Sequence, residues 1–241
     1  MRIVSLVPSI TETLFDFGLS PAEVVGRTKF CIHPADQIKQ VPTIGGTKNL
    51  HLNKINMLRP DLIIANKEEN DRHQVEELMR DFKVWVTEIQ TVEDNKSFLT
   101  ELGNILSKTT LAEEFNMKIG EIFQPDILNK NVKVAYLIWK DPYMSVGSDT
   151  FIHEILSKLG FQNNFSHFKR YPEVSPSDLS AADVIFLSSE PYPFKEKHRI
   201  QMQEEFPNQE IILVDGEAFS WFGSHLIQKG AYLHSLAHNF T

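Results

Sequence analysis

Thiol is nearly absent from this chain: Cys31 is its only cysteine, so no disulfide can form within it and cysteine usage marks no compartment. Long apolar runs are missing as well. No uninterrupted stretch approaches the ~20 residues needed to span a bilayer, and a membrane-crossing helix is not expected. Basic clusters are lacking: 24 Lys and Arg stand against 32 Asp and Glu, a net charge of −8. That balance excludes a nucleic-acid surface, which needs clustered cations. The familiar catalytic and phosphate-binding patterns G-x-S-x-G, Walker A and G-x-G-x-x-G are missing, and "IGGTKN" is too short a match to cradle a phosphate. No enzyme is expected on these grounds. Residues 3–8 are apolar for too short a stretch to serve as the core of an export signal, and Pro8 and Ser9 end the run.

What is present is a globular pattern, 41% hydrophobic and 23% charged over 241 residues. "RIVSLV" (2–7) reads as a buried strand and "ITETLFDFG" (10–18) as a helix ending at Gly18. A strand at 24–27, a short helix around 52–58, the strand "DLIIA" (61–65), a helix over 70–82 and the strand "KVWVT" (83–87) follow. The order then repeats. "VKVAYLI" (132–138) is a strand, and "SDTFIHEILSKLG" (148–160) a helix opened by a Ser/Asp cap and closed by Gly160. A helical turn in "SPSDLSAA" precedes the strand "DVIFLSS" (183–189). A helix at about 194–205, the strand "EIILVDG" (210–216) and a terminal helix from about 223 complete the set. Such alternation predicts an α/β fold of two lobes with parallel sheets.

Between the lobes, Leu102, Ile105, Leu106, Ala112, Phe115, Ile119 and Ile122 keep one apolar stripe, with no proline until Pro125. The stripe holds phase across Lys108–Thr110, where two helices would break, so one long helix is expected. Over 93–123 it would be about 45 Å long at ~1.5 Å per residue. The expected domains are therefore 1–92, a connecting helix at 93–128, and 129–241, with a ligand cleft between the lobes.

Open α/β lobes gather ligands outside the carboxyl ends of their strands. Those ends carry Pro8, Ser9 and Thr11, then "TKFCIHP", "NKEEN" (66–70), "WKDPYMSVGSD", "HFKRYPEVS", "SSEPYPF" and "DGEAFSWFG". Rings beside Pro and Gly in loops suit a pocket wall, and Trp139, Tyr143, Tyr171, Tyr192 and Trp221 are the candidates. Arg170 next to Tyr171 suits an anionic or amide-rich ligand. Ser9, Thr11, Asn66 and Lys67 are candidate polar contacts. Cys31 and His33 are the residues that could ligate a metal, although two ligands do not close a site. His225, His234 and His238 are expected on a solvated face of the terminal helix, and His153 in a structural or surface role.

Taken together, "RIVSLVPSITETLFDFG", "VPTIGG…NLHLNKINMLRPDLIIA", "PYMSVGSDTFIHEILSKLGFQNNF", "YPEVSPSDLSAADVIFLSSEP" and "SWFG" resemble the helical-backbone (class III) substrate-binding proteins of ABC importers. The resemblance covers essentially the whole chain and is closest to the vitamin B12 receptor group, with iron–siderophore and heme receptors next. It implies two α/β lobes joined by one long helix, a monomer, no intrinsic cofactor, and binding of a metal chelate such as cobalamin or a ferric siderophore. An ABC permease is the implied partner. By position, Tyr171 takes the aromatic place of the B12 receptors' "W-P-x-V-S" motif, and Trp221 that of their tryptophan before Phe. The chain departs from the pattern at Asn66, where those receptors carry a cleft tryptophan. It also has Arg72 and Gly223 near their permease-docking acids, with Glu68, Glu69 and Asp71 close by. An intracellular corrinoid or metal carrier, or a chelatase-like enzyme on the same fold, is the alternative. As written the chain is expected in the cytoplasm, and in the periplasm if a leader lies upstream.

Overall fold

The computed structural model describes residues 1–123 and 131–240. In chain order the elements are β1 (Ile3–Ser5), α1 (Pro8–Asp16), β2 (Val24–Arg27), β3 (Gly45–Gly46), β4 (Asn49–Leu50), α2 (Leu52–Leu58), β5 (Leu62–Asn66), α3 (Arg72–Leu78) and β6 (Val84–Thr87). Then come α4 (Val92–Ile105), α5 (Thr109–Ile122), β7 (Lys133–Leu137), α6 (Phe151–Lys158), β8 (Gln162–Asn163), α7 (Pro176–Leu179) and β9 (Val184–Ser188). The chain closes with α8 (Glu196–Glu205), β10 (Glu210–Val214), α9 (Gly216–Ser220) and α10 (His225–His238).

The chain divides into two compact units. The first holds Met1–Ile89, Glu93–Met117 and Trp221–Leu226; the second holds the described residues within Gln90–Val92, Lys118–Ser220 and Ile227–Thr241. Each has its own four-stranded sheet, ordered β2-β1-β5-β6 in the first and β10-β9-β7-β8 in the second. Every pairing within both is parallel. Parallel strands need covering on both faces, and their sequences read accordingly as nearly unbroken apolar runs. In the first unit Val4, Ile63 and Ala65 join Val25, Ile44, Ile55 and Leu78 in one cluster. Successive strand residues point to opposite faces, and Ile3, Leu62 and Ile64 are as fully buried. In the second unit Ala135, Leu137, Ile185 and Leu187 pack with Phe165, Phe194, Met202 and Phe206.

The long connecting helix expected over 93–128 is two helices, α4 and α5, and the expectation beyond residue 123 lies outside the described residues. The cause is a Schellman closure. Lys108 N donates to Gly103 O at 2.7 Å, Ser107 N donates to Asn104 O at 3.2 Å, and Ser107 takes the left-handed conformation with φ 56°. The chain then folds back. Asn116 Nδ2 donates to Lys96 O (3.1 Å) and to Thr100 Oγ1 (2.9 Å), so the part of α5 up to Met117 runs antiparallel to α4 in the first unit. Gly103 permits the approach: a Cβ there would stand 2.6 Å from Ala112 Cβ. The apolar stripe continues past the break because both helices bury their apolar residues, Leu99 and Leu102 of α4 and Ala112 and Phe115 of α5.

This break makes a prediction of opposite sign from a continuous helix. Ser107→Gly relieves a left-handed side-chain residue and should raise the unfolding free energy by about 0.5–1 kcal/mol. In a continuous helix the same change would lower it by a similar amount. Urea unfolding followed by tryptophan fluorescence in a Trp139→Phe background checks it, since Trp85 and Trp221 both belong to the first unit.

Candidate functional site

A parallel sheet has a switch point where one connection leaves to one side and the next leaves to the other, and the strand-end loops part there to form a crevice. In the first unit it lies between β1 and β5, since β1 leads to β2 on one side and β5 to β6 on the other. Asn70 knits these loops, donating from Nδ2 to Leu6 O (3.0 Å) and Thr47 O (3.1 Å).

The sequence candidates here divide into built-in and presented groups. Ser9 lies in the first turn of α1, 3% exposed, and its carbonyl accepts from Thr13 Oγ1 at 2.8 Å. Thr11 is fully buried, its hydroxyl 2.8 Å from Ser5 Oγ, 2.9 Å from Val7 O and 3.0 Å from Cys31 Sγ. Asn66 is the pivot of a turn: Oδ1 accepts from Glu68 N (2.9 Å) and Glu69 N (3.2 Å), while Nδ2 donates to Thr87 Oγ1 (3.2 Å). Lys67 is exposed and ion-paired to Glu88 at 2.8 Å, a surface pair of small energetic weight.

Cys31 is buried, and burial pushes its thiol pKa up against the hydrogen bonds from Thr11 and Thr28. It stays a thiol at neutral pH, and metals bind the thiolate. His33 is half-buried, edge-to-face with Trp221 at 5.7 Å and 6.2 Å from the His225 ring. Among the described residues no three His, Cys, Asp or Glu side chains gather to hold a metal ion.

Trp221 opens the short segment Trp221–Leu226 that returns to the first unit, and it is 8% exposed against His33 and His225. This segment is anchored by buried polar groups the sequence reading passed over. Asn95 Oδ1 accepts from Gly223 N at 2.6 Å, and Ser224 Oγ donates to Asp16 Oδ2 at 2.6 Å. His225 Nδ1 meets Glu12 Oε2 at 2.7 Å, with side-chain exposures of 2% and 5%. His225 is therefore not on a solvated face. An acid inside the otherwise buried helix α1 was the available signal, since such a group survives only when paired. His234 is half-buried with Nε2 2.6 Å from Ile122 O, and only His238 is exposed.

In the second unit the switch point lies between β7 and β9. Trp139 follows β7 and Tyr192 follows β9. Their rings meet edge-to-face at 5.5 Å, and Tyr192 N donates to Ile138 O at 3.3 Å. Tyr192 is in turn backed by Phe194 (4.7 Å) and by His198 (5.4 Å). Trp139 stays 41% exposed above this support. Burial holds His198 below the usual imidazole range, helped by Lys197, Lys140 and Lys195. Its Nδ1 accepts from Lys195 N at 2.9 Å.

Residues 143–148 and 168–174 pair along an irregular antiparallel ladder, through Ser145 N to Pro172 O, Gly147 N to Arg170 O and Val174 N to Tyr143 O. The ladder presents Arg170 in a left-handed conformation (φ 57°), its amide donating to Asp149 Oδ1 at 2.6 Å. The Arg170 guanidinium lies 5.6 Å from the Tyr171 ring centre. Tyr143 turns instead toward α8, its hydroxyl donating to Glu205 Oε2 at 3.0 Å; burial first, then this bond, raises its pKa. Phe168, another 41%-exposed ring on this edge, is not among the five candidate rings of the sequence.

Two parallel sheets that each place polar or aromatic groups at a switch point define an α/β protein whose strand ends suit ligands. The sequence profile of the periplasmic binding protein family matches residues 3–212, and the chain belongs to that family. The vitamin B12-binding protein of Pectobacterium atrosepticum is 25% identical over 185 residues, covering 72% of this chain and 66% of that relative, just under two thirds of its length. The solved vitamin B12 binding protein of Vibrio cholerae superposes with a TM-score of 0.83 at 19% identity, covering 99% of this chain and 97% of that one. A heme-binding protein from Pseudomonas aeruginosa gives 0.83 at 19% identity, covering 99% and 92%. At these identities the structural likeness shows the fold.

The buried Glu12–His225 pair yields the next prediction. Removing one partner of such a buried hydrogen bond leaves the other unsatisfied, at a cost of about 1–3 kcal/mol. Glu12→Ala should lower the urea midpoint of the first unit accordingly, read by Trp85 and Trp221 fluorescence, whereas Lys67→Ala should leave it unchanged.

Proposed function

We propose that the chain captures a metal chelate, a cobalamin-like corrinoid or a ferric siderophore, as the substrate-binding component of an ABC-type importer. The observation that carries this reading is the exposed indole of Trp139 braced by Tyr192 at the switch point of the second sheet. An apolar ring left in water and held rigid from behind loses little conformational freedom when a bulky ligand covers it, so burial of the ligand face converts into affinity. Arg170 and Tyr171 would add a cationic and an aromatic contact to the same edge. On the first unit the exposed Lys67, directly after β5, would offer a polar contact, while the buried Ser9 would hold its turn. In this reading Thr11 and Asn66 hold their loops, and the buried Cys31 takes no metal. The family and the vitamin B12-binding and heme-binding relatives support a binding role over catalysis.

Calorimetric titration with cyanocobalamin, a ferric siderophore and hemin tests the proposal. One of the first two should bind with a Kd in the micromolar range or below, about −8 kcal/mol or better. Trp139→Ala should weaken that binding about tenfold or more without shifting the melting temperature. Absence of heat, spectral change and thermal stabilisation with all three compounds would refute chelate binding.

A further inference from the structure

Lys133 at the amino end of β7, α6 and the edge strand β8 border a cavity of about 480 Å³. That volume suits a single small molecule. Its wall is polar, contributed by Lys133, His153, Ser157, Gln162, Asn164 and Ser166.

The wall is also built rather than incidental. Asn163, 6% exposed, has its amide orientation set by two backbone groups: Oδ1 accepts from Phe165 N at 3.0 Å and Nδ2 donates to Val146 O at 2.9 Å. The same Nδ2 lies 3.2 Å from His153 Nδ1. With the amide fixed, Nδ1 must accept, and the imidazole proton sits on Nε2. Burial, with Lys169 assisting and Glu154 opposing, lowers the His153 pKa, so the ring is a neutral donor at pH 7. Other polar groups on the wall are oriented in the same way. Gln162 Nε2 donates to Asn131 Oδ1 (3.0 Å) and Asn164 Nδ2 to Asp178 O (3.1 Å), which leaves each side-chain carbonyl oxygen as an acceptor. Ser157 Oγ donates to His153 O at 2.9 Å and keeps its lone pairs. One ammonium, one oriented N–H donor and several acceptors make a site for one negative charge accompanied by hydroxyl groups.

We propose that this cavity binds a small polyol bearing a carboxylate or phosphate, with Lys133 as the counter-charge, His153 Nε2 donating to the oxyanion, and the Gln162 and Asn164 carbonyls accepting from hydroxyls. The site belongs to the second unit alone and does not depend on chelate binding at the strand carboxyl ends. Titrating the full chain, without chelate, with gluconate and glucose 6-phosphate tests it, with glucose and inorganic phosphate as controls carrying one feature each. Calorimetry should show at least one of the two polyol anions binding about tenfold or more tighter than either control, the scale of a charged hydrogen bond. Lys133→Gln, a change at an exposed side chain, should abolish that preference. In an NMR titration the His153 imidazole pKa should rise when the anion is bound, because a nearby negative charge favours the imidazolium. No saturable heat with either polyol anion, phosphate binding as tightly as glucose 6-phosphate, or binding unaltered by Lys133→Gln would each overturn the proposal.

Discussion

Parallel pairing is the constraint from which the rest follows. Because β1, β2, β5 and β6 all run the same way, as do β7, β8, β9 and β10, each strand must return through a crossover, and every outgoing loop leaves from one edge of its sheet. The residues available to a ligand are thereby collected without any local signal in the sequence. Trp139 and Tyr192 lie far apart along the chain and meet because β7 and β9 are neighbours. The same logic places Ser9 and Lys67 at the corresponding edge of the first sheet, beside β1 and β5.

The return segment shows how backbone geometry can decide which side chains a surface carries. Gly223 adopts φ +81°, and a Cβ there would overlap Thr13 Oγ1. Any larger residue would displace Thr13 and with it the hydrogen bond from Ser224 N to Thr13 Oγ1 at 3.1 Å. The family resemblance implies a docking acid near this point. Its absence here follows from how tightly Asn95, Thr13 and Asp16 hold the segment.

Much of the fold was legible because burial on both faces writes strands as apolar runs, as in Ile3–Ser5, Leu62–Asn66 and Val184–Ser188. Helix ends were legible where glycine took the left-handed position. Gly18 (φ 79°) and Gly160 (φ 83°) both close Schellman motifs, through Leu19 N to Leu14 O and Phe161 N to Leu156 O. The third such closure, after α4, uses Ser107, whose residue type carries no stop signal, and the unbroken apolar stripe concealed it. The start of α6 shifted for a related reason: Thr150 Oγ1, not Ser148 or Asp149, accepts from His153 N. Strand β8, with only two residues, was too short to be read. At the candidate site, residue types pointed to the aromatic loops, but which rings are exposed depends on packing. Tyr143 and Trp221 turn inward onto Glu205 and His33, while Trp139 does not. Glu12 signalled a buried partner, but which one was illegible because His225 lies 213 positions away.

The central claim is that a chelate lands on Trp139, and a chain carrying that indole alone tests it directly. With Trp85 and Trp221 replaced by Phe, and folding verified by thermal melting, all remaining tryptophan emission comes from the second unit. Corrinoids and ferric siderophores absorb in the visible and near ultraviolet and quench a nearby indole. The account predicts saturable quenching of Trp139 at the same ligand concentration that saturates the calorimetric heat. Saturating binding that leaves Trp139 emission unchanged would contradict it.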